Sequence, residues 1–295
     1  MTGSGPVTGA GPVTGAGTGS GTVAVEAYGH QQHRDVIAAQ GLSVRPIAVD
    51  EHGAVIRELS RGPDVGAVLL TPAHQFPLGM ALAPERRNQA AAWAAQAGTV
   101  IIEDDYDGEF RYDRRAVGAM QALDPEHVVY AGTASKTLAP AVRLAWLVVP
   151  GRLLDDVVSA KSLTGRHGSS LDELTLAEFI TSGGYDRHVR RSRLRYRRRR
   201  DWLVSALRRV LPESRLTGVA AGMHAVLYLP PGLREAEVVA AGAGRGLALD
   251  GMGSFRPPAS THPEALVLGY GTPPAHAFTT AVTRLCAILE GHGPR

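Results

Sequence analysis

The chain has only two lysines, and one of them stands in unusual company. Lys136 lies in Gly132-Thr133-Ala134-Ser135-Lys136-Thr137-Leu138-Ala139-Pro140-Ala141-Val142-Arg143, among small and apolar residues, with hydroxyls beside it and an arginine ending the stretch. Upstream, the apolar run Thr99-Val100-Ile101-Ile102 opens into Glu103-Asp104-Asp105-Tyr106. A lysine amine near its ordinary pKa of about 10.4 is a poor nucleophile at neutral pH. Burial and a nearby arginine would lower that value and free the amine to condense with an aldehyde. An ionised carboxylate can keep a pyridine nitrogen protonated, so that the ring draws electrons. Hydroxyls and a planar guanidinium suit a phosphate dianion. Amine, carboxylate, phenol, hydroxyls and guanidinium together make up the set needed to hold pyridoxal 5'-phosphate. Lys136 is the expected Schiff-base residue. Asp104, at the end of a buried strand, is expected at the ring nitrogen, because ligands bind at the carboxyl edges of open α/β sheets. Tyr106, two residues on in an extended chain, points the same way and is assigned to the ring hydroxyl. Thr133, Ser135 and Arg143 are the expected phosphate ligands. Asp105 and Asp107 are expected to face elsewhere, as turn or surface residues.

The elements that must position these groups alternate along the chain. Strands are expected at Thr22 to Glu26, Val44 to Val49, Val65 to Leu70, Thr99 to Glu103, His127 to Ala131 and Leu144 to Val149. Helices are expected at His33 to Gln40, ended by Gly41, and at Pro84 to Ala97, closed by Gly98. Near-continuous apolar strands alternating with helices predict an α/β fold with a mainly parallel sheet covered on both faces. From Leu153 to Trp202 the pattern turns helical, and arginine dominates Arg190 to Arg200. A basic run of this kind could meet nucleic acid. The reading adopted is a solvated linker helix whose buried side is marked by Leu194, Trp202 and Leu203. The last third reads as a small α+β unit, with strands at Met223 to Leu229 and Leu266 to Tyr270 and helices at Arg234 to Arg245 and Ala275 to Leu289. The expected organisation is a disordered Gly/Thr-rich tail over 1–21, a large cofactor-binding domain over 22–160, linker helices over 161–205 and a small domain over 206–295.

Composition narrows the function classes. The chain is 44% apolar over 295 residues, ordinary for a globular protein with a sizeable core. Its net charge is only +3, so the whole chain does not read as a nucleic-acid binder. A single cysteine, Cys286, excludes an intramolecular disulfide or a cysteine-rich metal site and fits a reducing cytoplasm; it is expected in the core. No apolar run is long enough for a membrane helix, and the N-terminus, where Gly-Pro-Val-Thr-Gly-Ala occurs twice in tandem, has no signal-peptide pattern.

Three segments carry a family resemblance: Thr71-Pro72-Ala73-His74-Gln75-Phe76-Pro77-Leu78-Gly79, the stretch from Ile102 to Tyr112, and Gly132 to Arg143. They resemble the aminotransferase-like domain of MocR-type transcriptional regulators of the GntR family. These are fold type I pyridoxal phosphate proteins in which that domain is fused to a winged helix-turn-helix. The resemblance runs from about Thr22 to the C-terminus. It implies the aminotransferase fold type I with a smaller α+β C-terminal domain, a homodimer, and a ring contact from the His-Gln-Phe-Pro loop, so His74 and Gln75 join the expected cofactor residues. It also implies a small amine or amino-acid ligand.

The chain departs from that pattern in several places. Residues ahead of Thr22 cannot form a helix-turn-helix, so DNA binding is not expected of this chain as given. A phosphate-cradling turn and a sheet-covering helix are expected to be missing, leaving apolar surface exposed. Val267 stands where active relatives place a carboxylate-gripping arginine, His30 replaces a substrate-side tyrosine, and Leu78 stands where threonine or serine is usual. The expected function is therefore an effector-sensing, pyridoxal phosphate-binding domain of a MocR-type regulator. The alternatives are an active class I/II aminotransferase, in which Lys136 also moves the substrate's α-proton, and a non-functional fragment.

Overall fold

Valine, isoleucine and leucine cluster in runs of four to six residues between turn-forming segments, and such runs pack well on a pleated surface covered by helices. The computed structural model describes residues 21–292 except 63, 113–116, 165–167, 218–220 and 258–261. The expected tail lies, but for Gly21, outside the described residues. The first part of the chain runs β1 (Thr22–Glu26), α1 (Gln31–Ala39), β2 (Ser43–Ile47), a small hairpin of β3 (Val49–Asp50) and β4 (Gly53–Ala54), β5 (Ala67–Leu70), α2 (Pro84–Ala97), β6 (Val100–Asp105), β7 (Val128–Thr133), β8 (Ala145–Val148) and α3 (Leu154–Thr164). Then come α4 (Ser170–Thr181), the 27-residue α5 (Gly184–Val210), β9 (Leu216–Thr217), β10 (His224–Tyr228), α6 (Glu235–Gly244), β11 (Asp250–Gly251), β12 (Ala265–Gly269) and α7 (Ala275–His292).

Six strands form one sheet in the order β2-β1-β5-β6-β7-β8. All neighbours are parallel except β7 and β8. The central strands bury Ala24, Val68, Leu70, Ile101 and Val128, and α2 presses Ala90 and Ala94 onto them. Alanine there lets α2 approach the sheet closely. Gly132 in β7 answers a neighbour of the opposite kind: a Cβ at that position would overlap the indole of Trp146, its partner on β8. Among the described residues β8 has no cover. Trp146, Leu147 and Val148 are all exposed, as are Leu154 and Val158 on α3 and Leu171 and Leu174 on α4.

The second sheet, β11-β12-β10-β9, is antiparallel. It packs against α5, α6 and α7 around Leu203, Leu207, Leu227, Leu266, Ile288 and Leu289, with Cys286 half-buried at the margin. Helix α5 is the brace between the two halves. Its buried stripe is Val189, Ser192, Tyr196, Arg199, Leu203 and Leu207, at steps of three or four residues. This corrects the expected buried side. Leu203 lies on it, but Leu194 is 57% exposed and Trp202 is 39% exposed. Arg199 takes a core position instead. Its guanidinium donates to the carbonyls of Tyr270 and Gly271 and stacks over Phe278, so burial leaves its charge solvated by protein.

Candidate functional site

Strand β6 lies between β5 and β7, and its C-terminal end delivers Asp104 and Tyr106 to a cavity of about 930 Å³. Thr133, Ser135 and Lys136, from the end of β7 and the turn after it, line the same cavity. The amine and the carboxylate are therefore on one side of the sheet. Burial pushes the Asp104 carboxyl up to about 6, with Asp105 and Asp107 adding to the rise, while the Lys136 charge pulls it back. The Asp104 carboxylate accepts no hydrogen bond among the described residues. An acid held in a buried cavity without a protein donor is costly and suits a cationic ligand atom.

Tyr106 is a donor kept in its neutral form. Burial raises its pKa well above the ordinary value, and Asp107, Asp104 and other acids add to that. Its hydroxyl lies 3.1 Å from Nδ1 of His74. The same Nδ1 is 2.9 Å from Oδ2 of Asp107, so its proton is directed to that carboxylate. Nε2 of His74 is buried and has no partner. His74 does not line the cavity but stands directly behind Tyr106. The structure corrects the expectation for Asp107. It is a buried residue, 2% exposed, that faces both His74 and the cavity. Alternation fails there because the backbone leaves the extended region at Asp107 (φ −148, ψ 18) and enters the turn Gly108–Phe110. Asp105 does act in that turn, accepting from the Gly108 amide and from the hydroxyl of Tyr130.

The loop after β5 is held by its own residues. Gln75 donates to the carbonyls of Tyr28 and Phe76 and accepts from the Leu78 amide. These bonds hold the loop and tie it to the end of the first strand, and Gln75 does not line the cavity. His224 of β10 donates from Nε2 to the carbonyl of Pro77 (3.0 Å), which ties the second sheet to this loop. Burial, helped by His74, holds the His224 imidazole down to about 3, so it is neutral at physiological pH. Gly222 permits the junction: it sits at φ +73, and a Cβ there would overlap His74 and Asp107.

The hydroxyls and the arginine differ in what they have free. Thr133 Oγ1 donates to the Leu144 carbonyl and accepts from the Ser135 amide, so it shapes the turn. The Ser135 hydroxyl is uncommitted among the described residues. Arg143 is exposed and does not line the cavity. It follows the turn Pro140–Val142 in the left-handed region (φ 53), which costs a non-glycine residue of order 1 kcal/mol. The structure brings Lys136, Asp104, Tyr106, Thr133 and Ser135 together and leaves Arg143 apart; Lys136 itself is exposed, which corrects the expectation that burial and a neighbouring arginine would free its amine.

Residues outside the expected cofactor set complete the wall; of these, only His30 was singled out from sequence. Glu26, at the end of β1, is buried and accepts from the amide and hydroxyl of Thr71 at 3.1 and 2.5 Å. Burial pushes its carboxyl up to about 7. Arg34, beside it, spends its guanidinium on the carbonyls of Glu26, Ala27 and Gly29. His30 stacks on Phe76, with centroids 4.1 Å apart, and burial with the charges of His33 and Lys136 lowers it to about 4. The donor set fits pyridoxal phosphate: an unpaired amine, an unpaired carboxylate and a neutral phenol at the ring end, with a free hydroxyl beside the lysine. The match for the phosphate is thinner, since Arg143 stays outside.

Comparison with known proteins gives the family and the fold. Residues 1–265 match the family described as aminotransferase class I and II. The chain is 36% identical over 229 residues to the uncharacterized HTH-type transcriptional regulator YhdI of Bacillus subtilis, covering 77% of this chain and 49% of that protein. It is 32% identical over 225 residues to the probable rhizopine catabolism regulatory protein MocR of Rhizobium meliloti, covering 76% of this chain and 45% of that one. It thus spans about half the length of these curated relatives. Among solved structures, it superposes on LysN, an α-aminoadipate aminotransferase of Thermus thermophilus complexed with N-(5'-phosphopyridoxyl)-L-leucine. The TM-score is 0.81 and the identity 25%, over 92% of this chain and 72% of that one.

Proposed function

This chain belongs to the aminotransferase class I and II family, and from that premise we propose that it is the pyridoxal phosphate-binding, effector-sensing domain of a MocR-type regulator. The observation that carries the proposal is the convergence of Lys136, Asp104 and Tyr106 on one cavity. When bound, the cofactor supplies an aldehyde for amines and an electron-poor ring. Lys136 is the amine that holds its aldehyde carbon. Asp104 meets the pyridine nitrogen, and a proton there relieves the cost of burying that carboxylate. Tyr106, kept neutral and backed by His74 and Asp107, donates to the ring hydroxyl. Ser135 meets the phosphate. The regulator half of the proposal is supported by the names of relatives of which this chain matches about half. In the same reading the domain works as a homodimer and takes a small amine or amino acid.

The test is the visible absorbance of the purified chain with added pyridoxal phosphate. A band expected for the lysine-bound cofactor should appear in the wild type and be lost in Lys136→Ala, with the far-ultraviolet circular dichroism unchanged. A well-folded wild type without that band refutes the reading. Amino donors then separate sensing from catalysis. Conversion of the cofactor to its pyridoxamine form marks an active aminotransferase; a change of the band without that conversion marks a sensor.

A further inference from the structure

The charges lining the cavity show which kind of amine it can hold. Its cationic side chains are Lys136 and Arg34; the two terminal nitrogens of the Arg34 guanidinium are bonded to three backbone carbonyls, and its Nε is buried away from the open space without a partner among the described residues. The imidazoles His30 and His224 are lowered to about 4 and about 3, so they carry no charge at neutral pH, and burial shifts His33 in the same direction. Arg256, nearby, donates to the Pro257 carbonyl and does not line the cavity. Against these stand four lining carboxyls: Glu26, Asp104, Asp107 and Asp250. Glu26 is bonded to Thr71 and Asp107 to His74, and Asp104 would be taken up by the ring nitrogen of the cofactor. Asp250 remains. It is exposed at the rim, and its side chain has no partner among the described residues. It pairs across the strands with Val267, which also lines the cavity, and directly opposed residues of an antiparallel pair share a face. The face of the second sheet that looks into the cavity thus presents the neutral imidazole of His224, the apolar Val267 and one free carboxylate.

We propose that the cavity takes a diamine, an amine whose far end carries a second ammonium and not a carboxylate, with Asp250 receiving that ammonium. This rests on the reading of Lys136 as the cofactor anchor. Among the lining residues a ligand carboxylate finds no accessible, unbonded cationic group other than Lys136, since the free Nε of Arg34 is buried, and it is repelled by Asp250. A bound phosphate ester only adds negative charge. The second ammonium finds the one unpaired acid at the rim.

Three ligands of equal length separate the possibilities: 1,5-diaminopentane, pentan-1-amine and 5-aminopentanoate. Calorimetric titration of the full chain, with and without pyridoxal phosphate, should rank the diamine tightest and the amino acid weakest. The pairing charge belongs to the protein, so the order holds in both conditions. Because Asp250 is exposed, Asp250→Asn should lower the affinity ratio of diamine to monoamine by about two- to fivefold. Val267→Arg should raise the relative affinity for 5-aminopentanoate. The inference is overturned if the wild type prefers 5-aminopentanoate, if the diamine advantage survives in Asp250→Asn, or if none of the three ligands gives heat. The anchor reading fails on a different signal, the absence of a Lys136-dependent visible band.

Discussion

Replacing Glu26 by glutamine should change how stability depends on pH, and the structure sets the size of the change. The carboxyl is 7% exposed, and burial raises it from 4.5 to about 7 despite two hydrogen bonds from Thr71. Between those values the folded state holds a proton that the unfolded state has lost. Folding is therefore favoured at low pH, and the contribution falls as pH rises from about 4.5 through 7. Integrating this linkage from pH 5 to pH 8 gives a loss of about 2.5 kcal/mol. Both Thr71 bonds end on the same carboxylate oxygen, so the amide oxygen of glutamine can accept them. Urea denaturation of wild type and Glu26→Gln at four pH values tests this. The stability of the wild type minus that of the variant should fall by about 2–3 kcal/mol across that range. Taking the difference cancels the opposite trend from His224, whose lowered imidazole makes the fold gain stability as pH rises from about 3 towards 6.5. A difference that stays flat, or that grows with pH, refutes the burial argument for Glu26.

Two further substitutions test the packing around the site. Gly222→Ala places a methyl group against His74 and Asp107 at φ +73, and it should cost about 2–4 kcal/mol in chemical denaturation through strain and overpacking together. Leu147→Lys changes a residue that is 53% exposed on an uncovered edge strand. It should reduce binding of an apolar dye and self-association in light scattering while moving the unfolding midpoint by no more than about 0.5 kcal/mol equivalent. A large loss of stability in the second variant would show that β8 is covered in solution.

What could be read from the sequence was what neighbours in the chain decide. Buried parallel strands appear as apolar runs because both faces are covered, and Pro84 and Gly98 bound α2 through local backbone preference alone. Asp104 and Tyr106 were legible for the same reason: alternation along one extended segment puts them on one side. The two-residue strands β9 and β11 are too short to carry a pattern and form only by pairing with β10 and β12. Alternation misled at Asp107, where one backbone angle ends the extended segment. In α5 the arginines hid the helical period, because a buried guanidinium at position 199 needs carbonyls 71 and 72 residues away.

The cavity's electrostatics belong to this second class. Glu26 and Thr71 are 45 residues apart, and His224 reaches a carbonyl 147 residues away. No window of sequence contains either pair, yet they fix which groups are charged. A motif can therefore name the amine that would capture an aldehyde. Whether the far end of the ligand should be a carboxylate or an ammonium depends on which charges the fold leaves unpaired. Asp250 becomes informative only when Arg34 is seen to be spent on backbone carbonyls and the imidazoles are seen to be neutral. A carboxylate without a partner at the mouth of a net acidic cavity attracts cations along the entry path as well as at the end point. The preference for diamines should accordingly weaken with added salt more than the affinity for the monoamine does.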